Sequence, residues 1–228
     1  MSYLNTIGRR LLDIVYPPHC VSCGSGGSWW CASCRSSVDR PERDPCPRCL
    51  STDAIHDCSR TVDFTSIHTT GFYHSKALRS LIAELKYSGV TAGAADVEAY
   101  LHDVFGGRLP IEGPVSIQPM PLDADRERDR GFNQSQWIAE RVQNSILPGA
   151  DIIDMLERLP SAAAQATLQK EDRSVNIANT IAARGHISGS VLLVDDVATT
   201  GATAHEAAEA LRRAGAEHVY LFTLAIGA

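Results

Sequence analysis

One segment restricts the architecture more than any other. Val191-Leu192-Leu193-Val194 is a short apolar run of the kind a buried strand carries, and it leads directly into Asp195-Asp196. The small, hydroxyl-rich turn Val197-Ala198-Thr199-Thr200-Gly201-Ala202-Thr203 follows, and then a helical pattern begins. A strand end presents the two carboxylates at the rim of a sheet, where they can accept hydrogen bonds from vicinal hydroxyls. The turn has side chains small enough for backbone N–H groups to wrap an anion. The helix adds its positive N-terminal end, and Thr199, Thr200 and Thr203 add hydroxyl donors. This order of parts suits a phosphorylated sugar.

The thirteen residues Val191 to Thr203 resemble the phosphoribosyl-pyrophosphate (PRPP) signature of type I phosphoribosyltransferases. The resemblance implies that Asp195 and Asp196 hold the ribose hydroxyls. It also implies that Ala198, Thr199, Thr200, Gly201, Ala202 and Thr203 hold the 5'-phosphate.

The 228 residues suffice for a substantial core in one or two domains. The net charge of −6 provides no broad basic field for nucleic acid. No apolar run approaches the ~20 residues that span a bilayer. Leu4, Ile7, Leu11, Leu12 and Val15 recur at helical spacing without a continuous apolar region or a cleavage site, so the segment is not read as a signal peptide and a cytoplasmic location is expected.

All seven cysteines fall between Cys20 and Cys58. Cys20/Cys23, Cys31/Cys34 and Cys46/Cys49 are C-x-x-C pairs, which aim two thiolates from one tight turn at a single ion. The surrounding segment is Ser/Gly/Pro-rich and nearly core-free, so it needs a staple. Zn²⁺ is the expected one, over redox or disulfide use. Cys20, Cys23, Cys31 and Cys34 form a complete set; Cys46, Cys49 and Cys58 form three quarters of another. The missing ligand is expected at Ile55, and the adjacent His56 is a substitute. One site or two is therefore expected.

After Asp63 the pattern alternates between strands and helices. Strand character appears at Thr65–Tyr73, Val115–Ile117, Ile152–Leu156, Val191–Val194 and His218–Ala225. Helical stripes run through Leu78, Leu81, Ile82 and Leu85, through Val97, Leu101 and Val104, through Ile138, Val142 and Ile146, and through Ala204, Ala207, Ala208, Leu211 and Ala214. The expected fold is α/β: a parallel sheet flanked by helices, with its ligand at the carboxyl edge of the strands. A Cys-rich, zinc-ribbon-like module with an N-terminal helix (1–62) is expected to precede that domain (63–228).

Taken alone, Arg126 to Arg130 reads as a solvated cluster of alternating charge, and Pro160 to Asn176 as a polar mobile loop. In combination, Arg130-Gly131-Phe132-Asn133-Gln134, Gln165-x-x-Leu168 with Arg173-x-x-Asn176, and Leu85-Lys86-Tyr87-x-Gly89 resemble the ComF family over nearly the whole chain. These are bacterial phosphoribosyltransferase-like proteins, some needed for DNA uptake in natural transformation, with a cysteine-rich zinc segment in front. Ile55 departs from the family's eighth cysteine, and Pro119-Met120-Pro121 from its Pro-Val-Pro turn.

The resemblance implies binding of PRPP with Mg²⁺ and transfer of the phosphoribosyl group to an acceptor that the sequence does not name. Within it, the turn Pro119 to Leu122, including Met120, would meet the pyrophosphate. Arg128 or Arg130, with Lys170 or Arg173 on a closing loop, would neutralise it. The hood that selects the acceptor is expected from Lys86–Gly107 or from the zinc segment. The alternatives are a non-catalytic PRPP-binding regulator or adaptor, and a DNA-uptake factor whose zinc segment contacts nucleic acid or a protein of the competence machinery. Residues 1–62 carry seven arginines against six carboxylates, which argues for protein contact over strong direct nucleic-acid binding.

Overall fold

The computed structural model describes residues 17–56, 58, 64–87, 93–159 and 180–227, with backbone only at 124–126. The expected N-terminal helix, the 62/63 boundary and the whole 160–176 loop, with Gln165, Leu168, Lys170, Arg173 and Asn176, lie outside the described residues.

Four strands make an all-parallel sheet: β1 (Ile67–Thr69), β2 (Val115–Pro119), β5 (Ser190–Ala198) and β6 (His218–Ile226), in spatial order β1-β6-β5-β2. A second, antiparallel pair joins β3 (Leu156–Arg158) to β4 (Ile181–Ala183). The helices are α1 (Ala32–Ser36), α2 (Lys76–Tyr87), α3 (Ala94–Phe105), α4 (Ala124–Arg130), α5 (Gln134–Ser145) and α6 (Ala202–Arg213). The mixed α/β architecture expected from the alternation is the one observed.

Side chains on a strand alternate between faces, and here each face has its own helical cover. Leu192, Val194, Tyr220, Phe222 and Leu224 pack in one core with Leu78, Leu81, Leu85, Leu101, Ile138 and Val142 of α2, α3 and α5. Val191, Leu193, Val219 and Leu221 pack in the other with Ala204, Ala207, Ala208 and Leu211 of α6. Covering on both faces explains the continuous apolar run in β5, where Val191 to Val194 are all fully buried. The alanines of α6 have little bulk to hold the helix off the sheet.

Two elements differ from expectation. Ile152 makes only an isolated parallel bridge to Ile117, and the strand proper forms later, at β3. The side-chain carbonyl of Gln118 accepts the Met155 N–H at 2.7 Å and so takes that amide out of the main-chain ladder. The charged run at 124–130 is helical, closed by Gly131 at φ 77°, a left-handed terminator that other residues adopt poorly.

The cysteine-rich segment shares these cores. Cys20, Trp30, Cys34 and Val38 belong to the α2/α3/α5 cluster, and Leu50 and Phe64 to the α6 cluster. Trp30 is fully buried with its ring edge-on to Tyr100 at 4.8 Å. The Trp30 backbone N–H donates to Asp96 Oδ2 (2.9 Å), whose other oxygen holds Arg35 at 2.9 Å. Trp30→Ala should therefore destabilise the whole chain by about 3–5 kcal/mol in urea titrations. Metal release should coincide with unfolding of the sheet. A module that melts separately, leaving the sheet transition unchanged, would contradict the shared core.

Candidate metal centres and a candidate anion cleft

The knuckles come first because they are locally encoded. In the first, Cys20 N–H donates to Ser25 O and Gly24 N–H to Cys20 O, both at 2.8 Å. The second repeats the pattern with Cys46 N–H to Ser51 O (2.8 Å) and Leu50 N–H to Cys46 O (2.9 Å). These tight turns bring Cys20, Cys23, Cys31 and Cys34 together, and likewise Cys46, Cys49, His56 and Cys58. Within each set the ligand atoms lie within 4.8 Å of one another. Sulfur pairs at 3.7 Å (Cys23–Cys31) and 3.9 Å (Cys46–Cys58) match the ~3.8 Å edge of a tetrahedron with 2.3 Å Zn–S bonds. They are far too long for disulfides, and all seven cysteines are free.

Both sets fit a closed, structural Zn²⁺ site. The candidate fourth ligand of the second set is His56, and not residue 55: the exposed His56 ring brings a nitrogen within 4.8 Å of the three thiols, whereas Ile55 is 94% exposed and carries no ligand atom. His56 Nδ1 lies 2.9 Å from the Asp53 carbonyl, the outer hydrogen bond that orients a metal-binding imidazole and leaves Nε2 for the ion.

The thiols also show strain of charge. Burial raises Cys20, but N–H donors from Cys31, Cys23 and Ser22 outweigh it and bring it to about 6. Burial and the neighbouring thiols push Cys34 up to about 12. Cys46 and Cys58 repeat the contrast at about 6 and about 11, burial again being the largest influence on each. A dication removes this mutual repulsion.

The second feature lies at the carboxyl edge of the sheet. β5 does not end at its carboxylates. It continues beside β6 as far as Ala198, pairing with Ile226, whereas its pairing with β2 stops at Val194–Pro119. Asp195 and Asp196 therefore occupy the stretch where β5 outruns one neighbour, open on the β2 side. Asp195 Oδ1 accepts the Ser135 hydroxyl at 3.1 Å and the Asp196 N–H at 2.9 Å, and Asp196 Oδ2 pairs with Lys86 Nζ at 3.2 Å. Burial, and then the charge of Asp196, push Asp195 up to about 7.

A cleft of about 190 Å³ opens over this pair, lined by Lys86, Met120, Arg130, Arg158, the two carboxylates and the whole 197–204 loop. Thr199 and Thr200 are exposed, and Gly201 turns the chain into α6 at φ 69°. Among the described residues, the amides of Thr199, Thr200 and Gly201 have no acceptor. They stand free at the N-terminus of α6, where the helix dipole is positive.

Residues 11–60 match the family model of the double zinc ribbon domain. Over 203 residues the chain is 26% identical to the Streptococcus pneumoniae protein named "Competence protein ComFC", covering 85% of this chain and 86% of that one. The Bacillus subtilis protein of the same name is 27% identical over 208 residues, with 85% and 82% covered. The Escherichia coli "DNA utilization protein YhgH" is 29% identical over 208 residues, with 87% and 91% covered. The chain is a homologue of these proteins. The resemblance to the ComF family read from its motifs is thereby borne out, and the zinc module with it.

Several residues named from sequence line one cleft: Asp195, Asp196, Ala198 to Thr203, Met120 and Arg130. Pro119 ends β2 beside Val194. Arg128 is exposed on α4 and does not line the cleft. Lys170 and Arg173 lie outside the described residues. Sequence reading missed Arg158, Ser135 and Gln134. Arg158 reaches the cleft from β3 and donates to Pro121 O at 2.9 Å; no local pattern marks it. Lys86 belonged to a motif, but only the fold brings it to Asp196. Among the described residues no helix is long and apolar enough to cross a membrane.

Two predictions follow from this geometry. Protein purified without added zinc should carry two ions per chain by elemental analysis. His56→Ala should retain one; retention of both would exclude His56 as a ligand. The carboxylates set a pH dependence. Because Asp195 titrates near 7 in the fold against 3.8 unfolded, the native state binds the extra proton, so its stabilising effect is present below pH ~4 and lost as pH rises through 7. Asp195→Asn keeps an acceptor for Ser135 while removing the repulsion. Its Tm should exceed that of the wild type at pH 8 and converge with it near pH 4. A wild-type advantage at pH 8 would refute the assignment.

Proposed function

We propose that the cleft binds PRPP with Mg²⁺ and supports transfer of its 5-phosphoribosyl group to an acceptor. The observation that carries this reading is the meeting of three chemistries in one cleft: a carboxylate pair, a loop of free amides and three cations. A ribose needs acceptors for vicinal hydroxyls, which Asp195 and Asp196 supply. A 5'-phosphate needs convergent N–H donors, which the 198–203 loop supplies. A pyrophosphate needs positive charge on the far side, available from Arg130, Arg158 and Lys86.

Bound Mg²⁺ would supply neutralising charge to the pyrophosphate, and the hard carboxylate oxygens of Asp195 and Asp196 suit the ion's preference for oxygen. In the transfer the bond between C1 of the ribose and the pyrophosphate oxygen breaks, its electron pair leaving on pyrophosphate. The acceptor's lone pair forms the new bond to C1, and the acceptor's proton is released. Positive charge grows on the ribose ring meanwhile, so a fixed carboxylate pair and fixed cations on the leaving group act by preorganised electrostatics. Lys86 neutralises Asp196 in the free protein. Positive charge arriving with the ligand would offset Asp196 in its place and leave Lys86 available to the pyrophosphate. The names of the relatives, competence and DNA utilisation, suit a role in DNA uptake. The near-neutral balance of residues 1–62 favours a protein contact over direct nucleic-acid binding in that role.

Calorimetric titration with PRPP and Mg²⁺ tests the reading. The double variant Asp195→Asn, Asp196→Asn loses charge-assisted hydrogen bonds of roughly 1.5–3 kcal/mol each, so affinity should fall at least about tenfold. Inorganic phosphate should still bind, because its contacts are backbone amides. Wild-type protein that ignores millimolar PRPP with Mg²⁺ would overturn the proposal. Binding without consumption of PRPP, against a panel of bases and amines, would favour a non-catalytic PRPP-binding regulator or adaptor.

A further inference from the structure

The two zinc knuckles share one backbone hydrogen-bond pattern and part at the residue that follows the second cysteine. The position after the second cysteine is Gly24 in the first and Leu50 in the second. Both amides donate to the carbonyl of the first cysteine, and both backbones are left-handed, at φ 76° and φ 63°. Glycine adopts that conformation freely; for a bulky L residue it is strained. Leu50 is the sole non-glycine residue with positive φ among the described residues.

Surroundings supply the reason for this difference. A Cβ added at Gly24 would meet nothing within 4 Å, so that position faces open space. Leu50 is instead buried, 3% exposed. A Cβ added at Gly201 would lie only 2.2 Å from Leu50 Cδ1, so the leucine methyl sits directly against the bare Cα of Gly201. Gly201 is the residue that turns the anion loop into α6. A second contact runs in parallel. Phe64, whose N–H donates to Pro47 O inside the same knuckle (3.0 Å), sets its ring edge-on to His205 at 5.0 Å. His205 Nδ1 in turn lies 2.6 Å from the Gly201 carbonyl. The knuckle thus reaches the same glycine by two routes, one through Leu50 and one through Phe64 and His205.

We propose that the second zinc knuckle is a positioning element of the anion loop, with Leu50 as the residue that transmits its geometry to Gly201. Strain at φ 63° persists where surrounding structure over-determines it, and here it persists at a contact with a candidate binding loop. The Cys46/Cys49/His56/Cys58 site fixes the turn, the turn fixes Leu50, and Leu50 fixes where the loop amides point. Phosphate-monoester binding should therefore depend on metal at the second site and not merely on an intact sheet. This inference rests on the reading of the loop as a phosphate cradle.

The test uses Leu50→Gly in the full chain. Glycine relieves the backbone strain, so both zinc ions should remain, checked by elemental analysis. The start of α6 should loosen all the same: exchange of the His205 amide, which donates to the Gly201 carbonyl at 2.8 Å, should accelerate relative to wild type without any ligand. Affinity for PRPP with Mg²⁺ should fall roughly tenfold or more, as displaced binding groups commonly do. Leu50→Met, which keeps an apolar contact, should restore both. His56→Ala should reproduce the faster exchange while the first zinc ion stays. Unchanged exchange of the His205 amide in Leu50→Gly would overturn the positioning role. Faster exchange in a protein whose wild type binds no PRPP would uphold the positioning role and remove the PRPP reading instead.

Discussion

The burial of β5 on both faces is the constraint on which the remaining geometry depends. Val191 to Val194 can be wholly apolar because α6 covers one side of the sheet and α2, α3 and α5 the other. That double cover locks the register of β5, since a one-residue slip would exchange the two faces. A locked register then carries Asp195 and Asp196 past the end of β2 and Gly201 to the start of α6. The position of the cleft is thus a consequence of packing that lies beneath it.

The cysteine-rich segment is bound to this frame by burial and by charge. Trp30 contributes its ring to the helical core, and Asp96 ties its backbone to Arg35. Leu50 and Phe64 enter the opposite core under α6. A small segment that cannot build its own core gains one by sharing, and the zinc sets supply the local order that its Ser/Gly/Pro-rich sequence lacks. The cysteine-rich segment and the sheet share both core clusters.

Charge in the cleft is deliberately unbalanced in the free protein. Asp195 is pushed up by burial and by its neighbour, and Lys86 compensates only the second member of the pair. Arg130 and Arg158 line the same cleft. Under the proposed function, ligand hydroxyls and positive charge at the carboxylates, with anionic oxygens at the arginines, would relieve this tension. Sites that bind polar ligands commonly hold such tension.

The sequence alone determined whatever depends on neighbours in the chain. The apolar run before Asp195-Asp196, the small turn to Thr203, the C-x-x-C pairs and the helical stripes are local patterns, and local backbone geometry follows from them. Their motifs also resembled the family of the competence proteins to which the chain is similar. What tertiary structure decided are contacts between residues far apart in sequence. His56 over Ile55 as the candidate fourth ligand depends on which ring or side chain the folded segment brings to the Cys46 and Cys49 thiols. Arg158 in the cleft depends on the β3–β4 pairing, the Lys86–Asp196 pair on the packing of α2 against the sheet, and the Leu50–Gly201 contact on the seating of a knuckle beneath α6. The strand's continuation past its carboxylates is of the same kind, because whether a strand ends is settled by the neighbours it pairs with. No spacing rule encodes such meetings; they arise when separate elements bury their apolar faces together, and the polar groups at the edges are carried into register with them.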